Sequence, residues 1–178
     1  MALFLLAKNG MNNYQQCWWE QARSDHAVLV VLRRQGAAPC HQLHYLQMVT
    51  EKLSKAYFWR SGAPRKKSHA GFGLFMRLLL QVPQAQRQRI AHTFAFGRFE
   101  DFQNWTRVAL PLVYALERLA PALANDGPNP EYPWPHNSPQ NVPATFDFDV
   151  WRQLKDTGRG RQLIQVIKAA VEQFPVYG

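Results

Sequence analysis

Cysteines and long hydrophobic runs are both scarce in this chain of 178 residues. Its two cysteines, Cys17 and Cys40, are too few for a disulfide scaffold, so we expect reduced thiols. The opening MALFLLAKNG has a short apolar run with no basic residue before it, which is less than a signal peptide needs. No run approaches the roughly 18 apolar residues of a membrane span. We therefore expect a cytoplasmic protein that does not bind a membrane.

Sequence patterns of common catalytic and metal sites are also missing. The chain has no GxSxG turn and no glycine-rich phosphate loop with a lysine, and Gly71 and Gly73 in HAGFGLF do not fit a dinucleotide fingerprint. His41 and His44 are three positions apart on a predicted helix, but two ligands are fewer than a zinc site needs. No CxxC or HExxH motif supplies more. We therefore expect neither a metal nor another cofactor.

Acidic residues are absent from one long segment, Lys52 to Phe99, which we call the basic segment. It contains ten Lys or Arg residues, whereas the other eleven basic residues of the chain are balanced by all twelve acidic ones. The formal net charge of +9 at pH 7 therefore belongs in effect to this segment. Charge concentrated in this way favours RNA, a nucleotide or an acidic partner protein as the ligand.

Helical periodicity is what the sequence has in abundance. Gly36 suits a left-handed helix end and Pro39 suits a first helical position, whereas Pro111 and Pro121 are expected to kink a long helix. The spacing of apolar residues predicts helices over 14–35, 39–61, 69–81, 84–96, 101–124 and about 160–174. We therefore predict an all-α fold, an up-and-down bundle of four to five helices.

A proline-rich stretch separates the predicted core, 14–124, from the C-terminal helix. Residues 125–145 contain six prolines, which exclude both helix and central strand. Tyr132 and Trp134 favour an ordered loop that wraps the bundle over a free linker. Phe146, Phe148 and Trp151 are expected to dock the approach to the last helix. We therefore predict a single domain that spans 1–178.

Asp25 interrupts the apolar stripe of the first helix. A carboxylate in that position must be paired, because an isolated buried charge is costly. One interpretation is a structural bond to a Lys, an Arg or a backbone amide. The other is a polar cluster in a cleft between the first two helices, with His44, Lys52 or the loop at Arg65 as the partner.

A second polar stripe lies opposite the apolar face of the second helix, and contains His44, Met48, Glu51 and Lys55. It is either a solvated face, in which Glu51 and Lys55 form a favourable pair one turn apart, or the lining of a groove or of a contact with a second copy. We group Asp25, His44, Glu51 and Lys55 as a candidate supporting cluster.

The motif RKKSH carries the most coherent chemistry. Arg65, Lys66 and Lys67 precede the predicted third helix, whose first turn would expose free amide donors, so these residues form a candidate anion site. The helix dipole would keep His69 neutral and available as a base, and Arg65 could stabilise charge on a phosphate. The alternative interpretation is a solvated basic loop.

The run EKLSKAYFWRSG, after an amphipathic helix with an acidic residue and before a basic loop ending in SH, resembles the HEPN (higher eukaryotes and prokaryotes nucleotide-binding) family of helical domains. The resemblance covers about 16–80 and is strongest at Glu51, Lys52, Lys55 and Ala56. The NPEYPW loop and the last helix look like the C-terminal part of some members.

The resemblance implies a helical bundle that dimerises. In many members it implies a metal-independent ribonuclease whose motif is Arg, four to six residues, then His; here three residues separate Arg65 from His69. Members without the motif bind nucleotides or RNA, or assist a nucleotidyltransferase. We therefore predict a homodimeric module that binds RNA, a nucleotide or an acidic partner. The alternative is an endoribonuclease that uses Arg65 and His69 at a dimer cleft.

Overall fold

Eight α-helices form the framework of the protein in a computed structural model that describes residues 10–61 and 70–178. In chain order they are α1 (Asn13–Arg34), α2 (Pro39–Phe58), α3 (Phe72–Leu79), α4 (Gln84–Thr93), α5 (Phe99–Glu117), α6 (Asp149–Asp156), α7 (Gly158–Glu172) and α8 (Phe174–Tyr177). The all-α class and the bundle are confirmed. The eight helices outnumber both the bundle of four to five and the six predicted ranges, because the C-terminal part forms α6, α7 and α8 where one helix was predicted.

The hairpin of α1 and α2 is the centre of the fold, with the most extensive contact between any two helices. Asn12 forms a capping box with Gln15 at the start of α1, and its side chain also donates to the Trp59 carbonyl, 2.8 Å away, beyond the end of α2. The two helices are therefore antiparallel. Gly36, at φ +64°, is in the left-handed conformation expected of it, and Pro39 begins α2 as predicted.

The later helices agree less closely with the predicted bounds. Helix α3 begins at Phe72, three residues after the predicted start at position 69. Helix α5 ends at Glu117, so Pro111 lies inside it and Pro121 follows it. The turn between Glu117 and Pro121 has hydrogen bonds between residues three positions apart, as in a 3₁₀-helix. One of them joins Ala120 N to Glu117 O at 3.1 Å.

The proline-rich loop is ordered, as predicted. Trp134 is 5% exposed, forms an isolated antiparallel bridge with Asn141, and contacts the rings of Phe146 and Phe148. The loop leads into α6, where the sequence predicted no helix but only a segment that docks before the last helix. Thr157 then adopts an extended conformation and caps α7 by accepting a bond from the Gly160 amide.

One hydrophobic cluster connects these elements and includes buried residues from α1 through α8. Within the described ranges, no helix is long and apolar enough to cross a membrane.

Candidate functional site

Asp25 is paired with Lys52 of α2 across the hairpin. Asp25 is 7% exposed, and the carboxylate oxygen that does not contact Lys52 accepts a hydrogen bond from the Gln21 side chain at 3.0 Å. Both oxygens therefore have partners, which is what a carboxylate in this position requires. Of the partners considered from the sequence, the structure assigns Lys52.

Glu51 and Lys55 form the expected pair along α2. Glu51 is 5% exposed and also accepts from the Gln47 side chain at 3.3 Å, while the Lys55 ammonium lies 4.8 Å from the centre of the Trp18 ring on α1. Glu51 is buried and Lys55 packs against α1, so this part of the stripe is not a solvated face. We call the two ion pairs, Asp25 with Lys52 and Glu51 with Lys55, the polar seam.

His44 contacts a different part of the chain. Its Nδ1 atom lies 3.3 Å from a carboxylate oxygen of Glu131 in the proline-rich loop, and both side chains are about a third exposed. Within the predicted supporting cluster, Glu51 and Lys55 contact each other, whereas Asp25 contacts Lys52 and His44 contacts Glu131. This arrangement indicates a structural role for the polar seam.

The other predicted site residues, Arg65, Lys66, Lys67 and His69, lie outside the described residues. What the structure does show is the N-terminus of α3, to which the anion site was assigned. There the Gly73 amide donates to the Glu117 carboxylate at 2.9 Å. The Gly73 amide is therefore not a free donor, because an internal carboxylate occupies it. The anion site at Arg65, Lys66 and Lys67 stays a prediction.

Glu117 is a buried acid at 7% exposure. Burial raises the pKa of Glu117, and the backbone amides of residues 71–73 oppose that shift because they stabilise the ionised form. The glycines permit the close approach: a Cβ atom on Gly73 would lie 2.2 Å from a ring carbon of Tyr114. Gly73 therefore allows α3 to pack closely against α5.

Part of the basic segment is neutralised by carboxylates from outside it. Lys52, Lys55 and Arg98 pair with Asp25, Glu51 and Asp101 respectively. Arg89 donates to the Val176 carbonyl. Arg77 and Arg87 are exposed, and no ion pair joins them to a carboxylate among the described residues.

A second basic cluster was missed from the sequence. Arg33, Lys155 and Arg161 line one cleft of about 560 Å³, together with the indole of Trp151. We call it the basic cleft. In the sequence, the charges of these three residues were counted as balanced by the acidic residues outside the basic segment. In the structure, two of those acidic residues, Asp25 and Glu51, pair with Lys52 and Lys55 of the basic segment instead. The only local signal was Trp151 four positions before Lys155, a spacing that places both on one helix face.

The described residues contain no group of three or more His, Cys, Asp or Glu side chains that could hold a metal ion. No protein-family model matches the chain, and no curated protein or solved structure matches it. The HEPN resemblance therefore stays a prediction.

Proposed function

We propose that the protein is a helical module that binds RNA or a nucleotide through the basic segment and acts as a homodimer. The supporting observation is the charge balance within that segment. It has no acidic residue of its own, and the three ion pairs described above leave Arg77 and Arg87 exposed without a carboxylate partner among the described residues. A phosphate-rich ligand would supply the missing negative charge, with release of its counterions.

Salt dependence tests this proposal directly. Binding of a fluorescently labelled single-stranded RNA is measured by anisotropy between 50 and 300 mM salt, conditions in which each neutralised phosphate contributes a slope of about −0.7 in log affinity against log salt. We expect a steep linear loss of affinity. Binding that does not change over this range would contradict the proposal and, if nucleotides also failed to bind, would favour an acidic partner protein.

A matched pair of variants locates the contact. The triple variant R65Q/K66Q/K67Q removes three positive charges from the basic segment and is expected to weaken RNA binding by at least tenfold and to reduce the salt slope. The control R107Q/R118Q/R152Q removes three charges elsewhere. Equal losses in both variants would show that only net charge matters. Light scattering after gel filtration measures the homodimer.

The same RNA tests the endoribonuclease alternative. In that mechanism His69 would take the proton from a ribose 2′-hydroxyl, and Arg65 would stabilise charge on the phosphorane. Cleavage in EDTA by the wild type and its loss in His69→Ala would support the alternative. Intact RNA in both samples would support a binding module.

A further inference from the structure

The basic cleft forms where the turn between α1 and α2 meets α6 and α7. Its walls come from four helices, and its volume of about 560 Å³ is within the range of roughly 300–1,000 Å³ typical of small-molecule sites. Arg33 comes from the end of α1, Lys155 from α6 and Arg161 from α7. Three helices thus bring cations to one concave surface.

The charge of this cleft is not compensated within the described part of the protein. No Asp or Glu is among its lining residues, and no ion pair joins Arg33, Lys155 or Arg161 to a described carboxylate. Arg161 instead donates to the backbone carbonyl of Lys155 at 3.2 Å, a bond that holds its guanidinium against the end of α6. Like charges in one cleft repel each other, and an anion would relieve that repulsion.

The rest of the lining is suited to a planar ring. Trp151 is half-buried, and the apolar side chains of Leu154 and Ile164 lie in the same wall. Gln42 is 6% exposed and is held in place by a bond of 2.6 Å from its side-chain nitrogen to the Ala37 carbonyl. An aromatic ring on Trp151 would gain stacking energy, and the amide would offer polar contacts at the ring edge.

The cleft lies at the start of α2, which begins at Pro39 in the cleft wall and ends at Phe58. A helix of 20 residues is about 30 Å long at 1.5 Å per residue, so the cleft is separate from the end of α2. Arg33, Lys155 and Arg161 also lie outside the basic segment, 52–99, so variants at these positions leave the sequence of that segment unchanged.

We propose that the basic cleft binds a small phosphate ester that carries a planar ring, with the phosphate on Arg33, Lys155 and Arg161 and the ring against Trp151. A free mononucleotide and the terminal nucleotide of an RNA share this chemistry. Both sources place one negatively charged group and one ring within a single cleft.

Isothermal titration calorimetry of the full chain tests the proposal, with AMP, adenosine and inorganic phosphate as separate probes. AMP is expected to bind at least tenfold more tightly than either fragment, because only AMP engages both halves of the cleft. The variant R33Q/K155Q/R161Q is expected to weaken AMP binding at least tenfold, and Trp151→Ala is expected to weaken it about fivefold or more. Unchanged AMP affinity in both variants, or no AMP binding by the wild type, would overturn the proposal.

The control variant R107Q/R118Q/R152Q removes the same number of charges from outside both regions, and it is expected to bind AMP as the wild type does. Loss of AMP affinity equal to that of the cleft variant would overturn the cleft assignment. Unchanged RNA binding by R65Q/K66Q/K67Q would overturn only the proposed function. Competition by AMP distinguishes the two sources, with one RNA that carries a 5′-phosphate and one that carries a 5′-hydroxyl. If AMP displaces the phosphorylated RNA alone, the ligand of the cleft is the terminal nucleotide of an RNA. If AMP displaces neither RNA, the ligand is a free mononucleotide.

Discussion

The polar seam and the basic cleft both include residues of the α1–α2 hairpin but differ in how their charges are compensated. In the seam, Asp25 with Lys52 and Glu51 with Lys55 are paired and largely buried. In the cleft, three cations share a concave surface, and the described residues that line it include no carboxylate. Buried charges need their partners for folding, whereas exposed charges without partners are available to a ligand. This difference assigns a structural role to the seam and a binding role to the cleft.

The largest expected effect comes from breaking a pair in the seam. Asp25→Ala would leave Lys52, whose side chain is only 14% exposed, without its anionic partner. We expect a loss of about 3 kcal/mol in the free energy of unfolding, at the lower end for a buried pair. Urea denaturation followed by circular dichroism measures it.

The control for this prediction is the double variant D25A/K52M, which removes both charges. It should lose clearly less stability than the single variant, because no unpaired charge remains. Equal losses in the single and double variants would show that lost packing, not the uncompensated charge, controls the effect. The seam would then not differ from the cleft in the way described above.

Glu117 is a third kind of case: a buried carboxylate that accepts a hydrogen bond from the Gly73 amide and has no cationic partner among the described ion pairs. Because burial raises its pKa above the ordinary value of 4.5, the folded protein binds a proton more tightly than the unfolded chain. The contribution of Glu117 to stability is therefore complete below about pH 4.5 and declines as pH rises through the folded-state pKa.

The isosteric variant Glu117→Gln tests that direction between pH 4 and 8. Stability of the wild type minus that of the variant should fall as pH rises. A difference that rises with pH would mean that the Gly73 amide outweighs burial. Glu117→Ala serves as a second variant, and is expected to cost about 1–3 kcal/mol because it leaves the buried amide without an acceptor.

Local sequence signals account for the parts of the fold that were predicted well. Gly36 and Pro39 fix the turn between α1 and α2 through their own backbone preferences, so its position follows from the sequence alone. Helix α6 was missed because it has only eight residues and a single residue, Thr157, separates it from α7. Short elements of this kind depend on tertiary packing.

The site was harder to predict than the fold because charge compensation depends on distance in space. Asp25 was recognised as needing a partner from its position on an apolar stripe, and Lys52 was among the candidates. The cleft joins Arg33 to Lys155 and Arg161, more than a hundred positions later in the chain. No local pattern links residues that far apart.

Gly36 lies in the turn beside the cleft, between lining residues Arg33 and Ala37. Its φ of +64° disfavours a side chain, although a Cβ atom added there would have no neighbouring atom within 4 Å. Gly36→Ala should therefore cost about 1 kcal/mol through backbone strain alone. Gly97→Ala is the control, since that position also has open space but no positive φ, and it should not lose stability. Thermal unfolding compares the two, and equal stability would remove the strain argument.

The smallest expected effect is the one that separates the cleft most clearly from the seam. Neutralising the cleft in R33Q/K155Q/R161Q breaks no ion pair among the described residues, so unfolding stability should stay within about 0.5 kcal/mol of the wild type or rise slightly at low salt. Any gain should shrink at 300 mM salt, because salt screens repulsion between exposed charges. Urea unfolding at both salt concentrations measures this. A loss as large as that of Asp25→Ala would show that the cleft cations hold the fold together, and the two regions would then have the same structural role.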